Sequence, residues 1–372
     1  MLTELNNDLK PFEELAANFA AKELKKKVEE HDRYPFAPLF TEVIDKAWEV
    51  GLLGITLPEA FGGIGQGIST LCTVLDRICQ VDSSLGGVIF TSTLAQEILL
   101  QAGDENLLKR TFPNARKAGD FAIAFPSFSN PAQARSLPRA ERGVKMYNLS
   151  GMIEYVVLGN IASFALIPAQ VDKEGYAFFI VDLSSQEVKK GEPIFSLGLH
   201  ACPAVDLQLD NAKAFLVGNE QEGAAYFDAV SKKLHVAAAA MSAGIMKGSF
   251  DEALAYAKER FQGGREIINW SEVSMLLAAM AVKIQAAELC VTQACQTVEQ
   301  QIKGWPQLSV GAALHVHELA CELVTDGVQL LGGNGFMKDY GQEKRYRDAR
   351  QVQALLGRQP LKKLALFKEI SA

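Results

Sequence analysis

Glycines, histidines, cysteines and lysines are the residues of this chain whose spacing first suggests chemistry. Gly63-x-Gly65-x-Gly67 has part of the spacing of a dinucleotide-binding loop, in which glycines let backbone N–H groups approach a pyrophosphate. It follows no predicted strand and opens no βαβ unit, so it reads as a loop between helices. His315 and His317 lie two apart on a predicted helix and face different ways, which suits packing or surface roles better than shared metal ligation. Cys72, Cys79, Cys202, Cys290, Cys295 and Cys321 form no CxxC pair and do not cluster with the histidines. That is the usage of reduced thiols in a cytosol, not of a disulfide framework or zinc site. Lys25-Lys26-Lys27 reads as a solvated helix face.

The elements that must position such residues follow from periodicity. Up to about Lys117 the apolar residues recur at three- and four-residue spacing, as in Phe40, Val43, Ile44, Ala47, Trp48 and Leu52, which predicts helices. From about Ala118 the pattern becomes short β-branched and aromatic runs such as Phe164-Ala165-Leu166-Ile167 and Tyr176 to Val181, separated by turn residues, which predicts a compact β domain. Long helical patterns return from about Glu222, broken at Gly263-Gly264, Gly304-Trp305-Pro306 and Gly332-Gly333-Asn334-Gly335. A chain of 372 residues is too long for one core. Three domains are expected, at residues 1–117, 118–220 and 221–372. Lys+Arg 37 against Asp+Glu 44 gives a net charge of -7 without a basic stripe, which excludes nucleic acid as a partner. Met1 to Lys10 lacks the basic start and apolar core of a signal peptide. The most apolar run, Val236 to Met246, falls short of the roughly 18 residues that cross a bilayer and reads as a buried helix. No membrane span and a cytoplasmic location are the expectations.

Specificity enters at Gln329-Leu330-Leu331-Gly332-Gly333-Asn334-Gly335-Phe336, followed by Arg345-Tyr346-Arg347-Asp348-Ala349-Arg350. Together with Leu57-Pro58-Glu59-Ala60-Phe61-Gly62-Gly63, Val81-Asp82-Ser83-Ser84, Leu197-Gly198-Leu199-His200-Ala201 and Glu259-Arg260-Phe261-Gln262-Gly263, these segments resemble the acyl-CoA dehydrogenase family along nearly the whole chain. The resemblance implies an α+β, mostly α fold: an N-terminal helical domain, a middle β barrel and a C-terminal four-helix bundle, assembled as a dimer of dimers. It implies α,β-dehydrogenation of an acyl-CoA thioester, in which a carboxylate removes the α-proton while the β-hydrogen leaves as hydride to FAD, and an electron-transferring flavoprotein as acceptor.

Both positions that the resemblance assigns to the carboxylate hold leucine. Counting from Arg347-Asp348-Ala349 leads to Leu356, and counting back from Arg260 leads to Leu234. Neither can accept a proton. The stretch whose polar groups touch the flavin in the family stands here as Ala124-Phe125-Pro126-Ser127-Phe128-Ser129-Asn130, with only the proline kept. The flavin-stacking segment stands as Tyr155-Val156-Val157-Leu158, its aromatic kept and its hydrogen-bonding Thr replaced by Val157. The family's Thr and Gln beyond the base are matched by Arg358 and Pro360.

A different set persists: Arg260, Gln262, Gln329, Gly332, Gly333 and Gly335. In the family these regions reach across a dimer interface to the adenosine-pyrophosphate of the neighbouring subunit's FAD, where an arginine fork and bare backbone suit phosphate. The structural alternative is that the glycines serve the turn and that Arg260 pairs with Glu259 or Glu266. Three functions fit this pattern. One is the base-lacking subunit of a heteromeric dehydrogenase, completed by a paralogous partner. Another is a self-sufficient flavoenzyme (a reductase, a desulfinase-like lyase or an oxygenase) with His235 or, less well placed, Glu154 as a relocated base. The last is a flavin-free scaffold of the same fold.

Overall fold

The structure is a computed structural model that describes residues 8–33, 41–112, 115–171 and 175–371; Phe40 and Met1 to Asn7 lie outside the described residues. Among these, helices α1 (Lys10–Phe19), α2 (Val28–His31), α3 (Thr41–Glu49), α4 (Ile68–Val81), α5 (Ser83–Ala102), α6 (Glu105–Thr111) and α7 (Ala118–Phe121) precede the sheet. Central to them is α5, with 17 of its 20 residues buried, so it is enclosed on all sides. Asp82 starts it by accepting the Ser84 N–H, and Gly103, at φ 70, ends it.

Strands β1 (Ile123–Ala124), β2 (Arg139–Arg142), β3 (Tyr147–Val157), β4 (Phe164–Ala169), β5 (Ala177–Asp182), β6 (Val188–Lys190) and β7 (Ala204–Val217) form one sheet in the order β1-β4-β5-β7-β3-β2, with β6 also on β7. Bridges from Phe125 to Val157 and from Arg139 to Gln170 join its ends, which closes it as a barrel. Strand β7 alternates as a half-buried strand should, with Leu207, Leu209, Ala212 and Ala214 inward.

Helices α8 (Gly223–Glu259), α9 (Ser271–Glu299), α10 (Trp305–Leu331) and α12 (Gln359–Ser371) build the bundle, with α11 (Gln342–Val352) leading into α12. Between α8 and α9, β8 (Phe261–Gln262) and β9 (Arg265–Glu266) make a hairpin whose Gly263 and Gly264 take φ 70 and 91, the left-handed pair that a tight hairpin turn needs. The expected buried helix at Val236 to Met246 is the middle of α8, where all eleven residues are buried. The expectation that no stretch has the length and composition of a membrane span needs correction, because α9 has both. Its apolar residues are interspersed rather than contiguous, and Met275, Val282 and Leu289 stand exposed at seven-residue intervals along one face.

The three parts meet in a buried charge network. Lys344 of α11 donates to Asp82 at 2.9 Å and to Asp348 at 2.6 Å, while Asp348 accepts the Leu199 N–H at 2.8 Å. Beside it Arg347 pairs with Asp32 and Glu343. His200 has Nδ1 2.9 Å from the Asp32 carbonyl oxygen and Nε2 2.9 Å from that of Ser196. With carbonyl acceptors at both ring nitrogens, the protonated ring can donate at both. Burial works against that charge, but the Asp32 side chain and backbone outweigh it and raise the His200 pKa. Asp32 is held well below the usual carboxylate range by His200 and Arg347 despite its burial.

The signs follow from linkage. A raised His200 pKa contributes stability below pH about 6.5 that is lost as pH rises through the folded value. The lowered Asp32 pKa contributes stability above pH about 3.9 that is lost on acidification. Asp32→Asn is expected to cost about 3–5 kcal/mol at pH 6. It also removes most of the fall in stability between pH 6 and 8, as read by urea unfolding across that range.

Candidate functional site

The positions assigned to the base, the flavin ring and the phosphates fall into two groups with opposite character. Leu356 sits in the turn between α11 and α12, 2% exposed and at φ 62, a left-handed conformation that costs a branched residue about 1–2 kcal/mol. Its N–H donates to the Ser127 carbonyl at 2.9 Å. The Ser127 hydroxyl is itself 2.9 Å from that of Thr91 in α5. A Cβ on Gly357 would stand 3.3 Å from Cβ of Asn130. The turn therefore rests directly on the 127–130 segment, and the donors that face each other there are already paired.

Phe125 of the same segment is fully buried against Phe178 and Phe227, at centroid distances of 6.0 and 6.5 Å. Val157 exchanges both backbone hydrogen bonds with it. Tyr155 lies at a bulge in β3, at φ 57, with its N–H on the Asp206 carboxylate at 2.9 Å. Bulges re-aim side chains, and this one sends the phenol to Gln351 of α11, whose amide donates to it at 2.8 Å. The ring of Phe128 meets that of Tyr155 edge-on at 5.4 Å. This half offers a flavin few polar contacts: Phe125 and Val157 are apolar and their backbone groups pair with each other, and the buried polar group left without a partner beside the turn is the Gln359 side-chain amide.

Leu234 is fully buried on α8. His235 beside it is 6% exposed, and burial together with the nearby Lys362 charge lowers it to about 3. An imidazole of that pKa holds a proton too weakly to act as an efficient base at neutral pH. Glu154 is exposed on β3. His315 is exposed and His317 buried, on different faces as expected. Gly63 and Gly67 have local reasons: a Cβ at Gly63 would stand 1.9 Å from the Leu57 carbonyl oxygen, and one at Gly67 would stand 1.7 Å from the Glu299 carboxylate. Glu299 caps α4 through the Ser69 N–H at 3.0 Å, so a carboxylate already occupies that helix N-terminus.

The second group is open. Arg260, Gln262, Gln329, Gly332 and Gly333 are all exposed. Arg260 follows the end of α8, where Asn334 of the turn after α10 donates through Nδ2 to the Tyr256 hydroxyl at 3.0 Å; Gln262 lies in the hairpin beyond it, and Gln329 in the last turn of α10. Arg260 makes no ion pair among the described residues; Glu266 instead accepts from Asn269, and Arg265 lies 4.4 Å over the Trp270 ring. The glycines divide. Gly335 is needed inside the turn, since a Cβ would stand 2.2 Å from the Val328 carbonyl oxygen, and Gly332 needs its φ of 59 and ψ of -130. Gly333 has no positive φ and nothing within 4 Å of a built Cβ, so no packing or turn among the described residues calls for glycine there. Two exposed amides, a guanidinium and bare backbone form a donor surface that suits a pyrophosphate.

Sequence reasoning missed Gln351, Thr91 and Lys362 as parts of this region. No local signal marks them, because their partners lie far away along the chain or are backbone carbonyls of a turn.

A helical layer, a closed barrel and a bundle meeting at such a site define a dehydrogenase-type architecture. The chain belongs to the acyl-CoA dehydrogenase family: residues 6–117 match its N-terminal domain and residues 227–365 its C-terminal domain. It is 30% identical to the 3-(aryl)acrylate reductase of Clostridium sporogenes, with 96% of each chain covered. It is 29% identical to the caffeyl-CoA reductase-Etf complex subunit CarC of Acetobacterium woodii, with 92% of each covered. The fold superimposes on butyryl-CoA dehydrogenase from Megasphaera elsdenii with a TM-score of 0.90 at 20% identity, covering 98% of each chain.

With no side-chain partner among the described residues, Arg260→Ala and Gly333→Ala are expected to leave the unfolding free energy of the isolated chain within about 0.5 kcal/mol of wild type. Gly335→Ala, which meets backbone, is expected to lose more than about 2 kcal/mol. Urea unfolding of the three variants checks the contrast.

Proposed function

We propose that this chain is the base-lacking subunit of a heteromeric, FAD-dependent acyl-CoA dehydrogenase that oxidises the α,β C–C bond of an acyl-CoA thioester. In this reading a paralogous subunit supplies the carboxylate and the flavin-ring contacts, and FAD supplies the hydride acceptor. The observation that carries the reading is the contrast between the halves: buried leucines at both base positions, and an exposed donor surface whose side chains have no partner among the described residues. Arg260, Gln262, Gln329 and the Gly332-Gly333 backbone would hold the adenosine-pyrophosphate of the partner's FAD. The exposed apolar residues Met275, Val282 and Leu289 of α9 are of the kind that subunits cover, in keeping with a heterotetramer. An electron-transferring flavoprotein is the proposed acceptor, a reading favoured by the relative described as an Etf complex subunit.

Released flavin, quantified per chain, tests this. The chain purified alone is expected to carry almost none, and the chain co-expressed with its nearest paralogue about one FAD per pair. Arg260→Ala is expected to lower the flavin content of the pair while leaving the two chains associated. One tightly bound FAD per isolated chain sinks the proposal.

A further inference from the structure

Tyr256, in the last turn of α8, is bonded in two directions. Its carbonyl oxygen accepts the Arg260 N–H at 2.8 Å, and the Arg260 carbonyl oxygen accepts the Ile267 N–H at 2.8 Å, so the backbone that carries the guanidinium is tied on both sides. The Tyr256 hydroxyl accepts from Asn334 Nδ2 at 3.0 Å. An amide nitrogen has two protons, and the same Nδ2 lies 3.3 Å from the Tyr340 hydroxyl. The two phenol rings meet edge-on, with centroids 5.9 Å apart and planes at 89°, an arrangement that aromatic pairs favour.

The same side of α8 also holds the entry to α11. Glu252, Tyr256 and Arg260 are spaced four residues apart, which puts neighbours in this series on one face of a helix. Glu252 accepts the Gly341 N–H at 2.8 Å and pairs with Arg345. In the turn after α10, the Gly332 N–H bonds the Gln329 carbonyl and the Met337 N–H bonds the Asn334 carbonyl at 3.2 Å. Those bonds shape the turn without attaching it to α8. Gly333 has nothing within 4 Å of a built Cβ to steady it. The side chain of the next residue, Asn334, supplies the bond from this exposed backbone to α8. Backbone N–H groups bind an anion best when already held in place, since ordering them on binding costs affinity.

We infer that Asn334, clamped between the hydroxyls of Tyr256 and Tyr340, is a positioning residue that holds the Gly332-Gly333 backbone and Arg260 in fixed relation for a pyrophosphate. The inference rests on the reading of this surface as part of a partner subunit's FAD site. In this role Asn334, Tyr256 and Tyr340 act through the turn.

The experiment measures FAD dissociation from the co-expressed pair, by recovery of flavin fluorescence on dilution, and amide hydrogen exchange of the chain alone. Tyr256→Phe removes one oxygen and keeps the ring contact with Tyr340. It is expected to raise the FAD Kd of the pair about fivefold, to speed exchange in peptides spanning residues 332–337, and to leave the two chains associated. Tyr340→Phe loses the longer bond and is expected to do less. Asn334→Ala is expected to weaken FAD roughly tenfold; adding Tyr256→Phe to it changes little more, because both remove the same bond. Should Asn334→Ala not fold, Tyr256→Phe decides. A Tyr256→Phe pair with wild-type FAD affinity, while Arg260→Ala still lowers flavin content, overturns the clamp and leaves the flavin reading standing. A wild-type pair without FAD overturns both. Weaker FAD binding accompanied by faster exchange throughout the chain, or by loss of association, makes the clamp a general structural element and overturns the inference.

Discussion

One buried lysine holds the molecule together. Lys344 faces Asp82 and Asp348 in a region closed to water, and these carboxylates raise its pKa against its burial. Each acid also bonds a backbone N–H elsewhere. Asp82 starts α5, the helix at the centre of the N-terminal layer, and Asp348 binds the Leu199 N–H of the loop leading into β7. A desolvated charge cluster tolerates little displacement, because any partner that moves away leaves an unpaired charge in a low-dielectric interior. The orientation of α11 against the barrel and against α5 follows, and so does the place of the turn that carries Leu356.

That turn explains how the chain keeps a family fold while one half of the site has become packed core. Phe125 fills the space beside Phe178 and Phe227, and the Ser127 carbonyl ties Leu356 to the barrel side, while the Gln359 side-chain amide next to the turn is buried without a partner among the described residues. Apart from that amide, hydrophobic packing and paired backbone replace bonds to a cofactor. At the other half the opposite holds. Among the described residues Arg260, Gln262 and Gly333 make no side-chain contact that rewards their residue types, and the proposed completion by a partner rests on that.

Much of this was legible in one dimension. The switch from helical to strand periodicity and back, the burial of Val236 to Met246 and the loop reading of Gly63, Gly65 and Gly67 rest on local sterics and on the fit of apolar spacing to a helix or strand, both of which act over a few residues. That leucine stands at positions 356 and 234, where the family resemblance leads one to expect a carboxylate, is likewise a matter of residue type. Local patterns also misled: judging apolarity by one contiguous run overlooked α9, whose apolar residues are interspersed along an exposed face.

What the sequence by itself determined is therefore which elements form and which residue types stand at the positions that the family resemblance marks. Only the tertiary structure decided that Arg260 stands free of Glu259 and Glu266, that Gly333 has no steric duty while Gly335 does, and that His235 is too deeply buried to be a ready base. Each depends on groups brought together from distant parts of the chain, as with Tyr155 and Gln351, 196 residues apart, or Lys344 and Asp82, 262 apart. Burial, charge pairing and steric clash are properties of a neighbourhood, and in this protein the neighbourhood is set by the packing of helical layer, barrel and bundle.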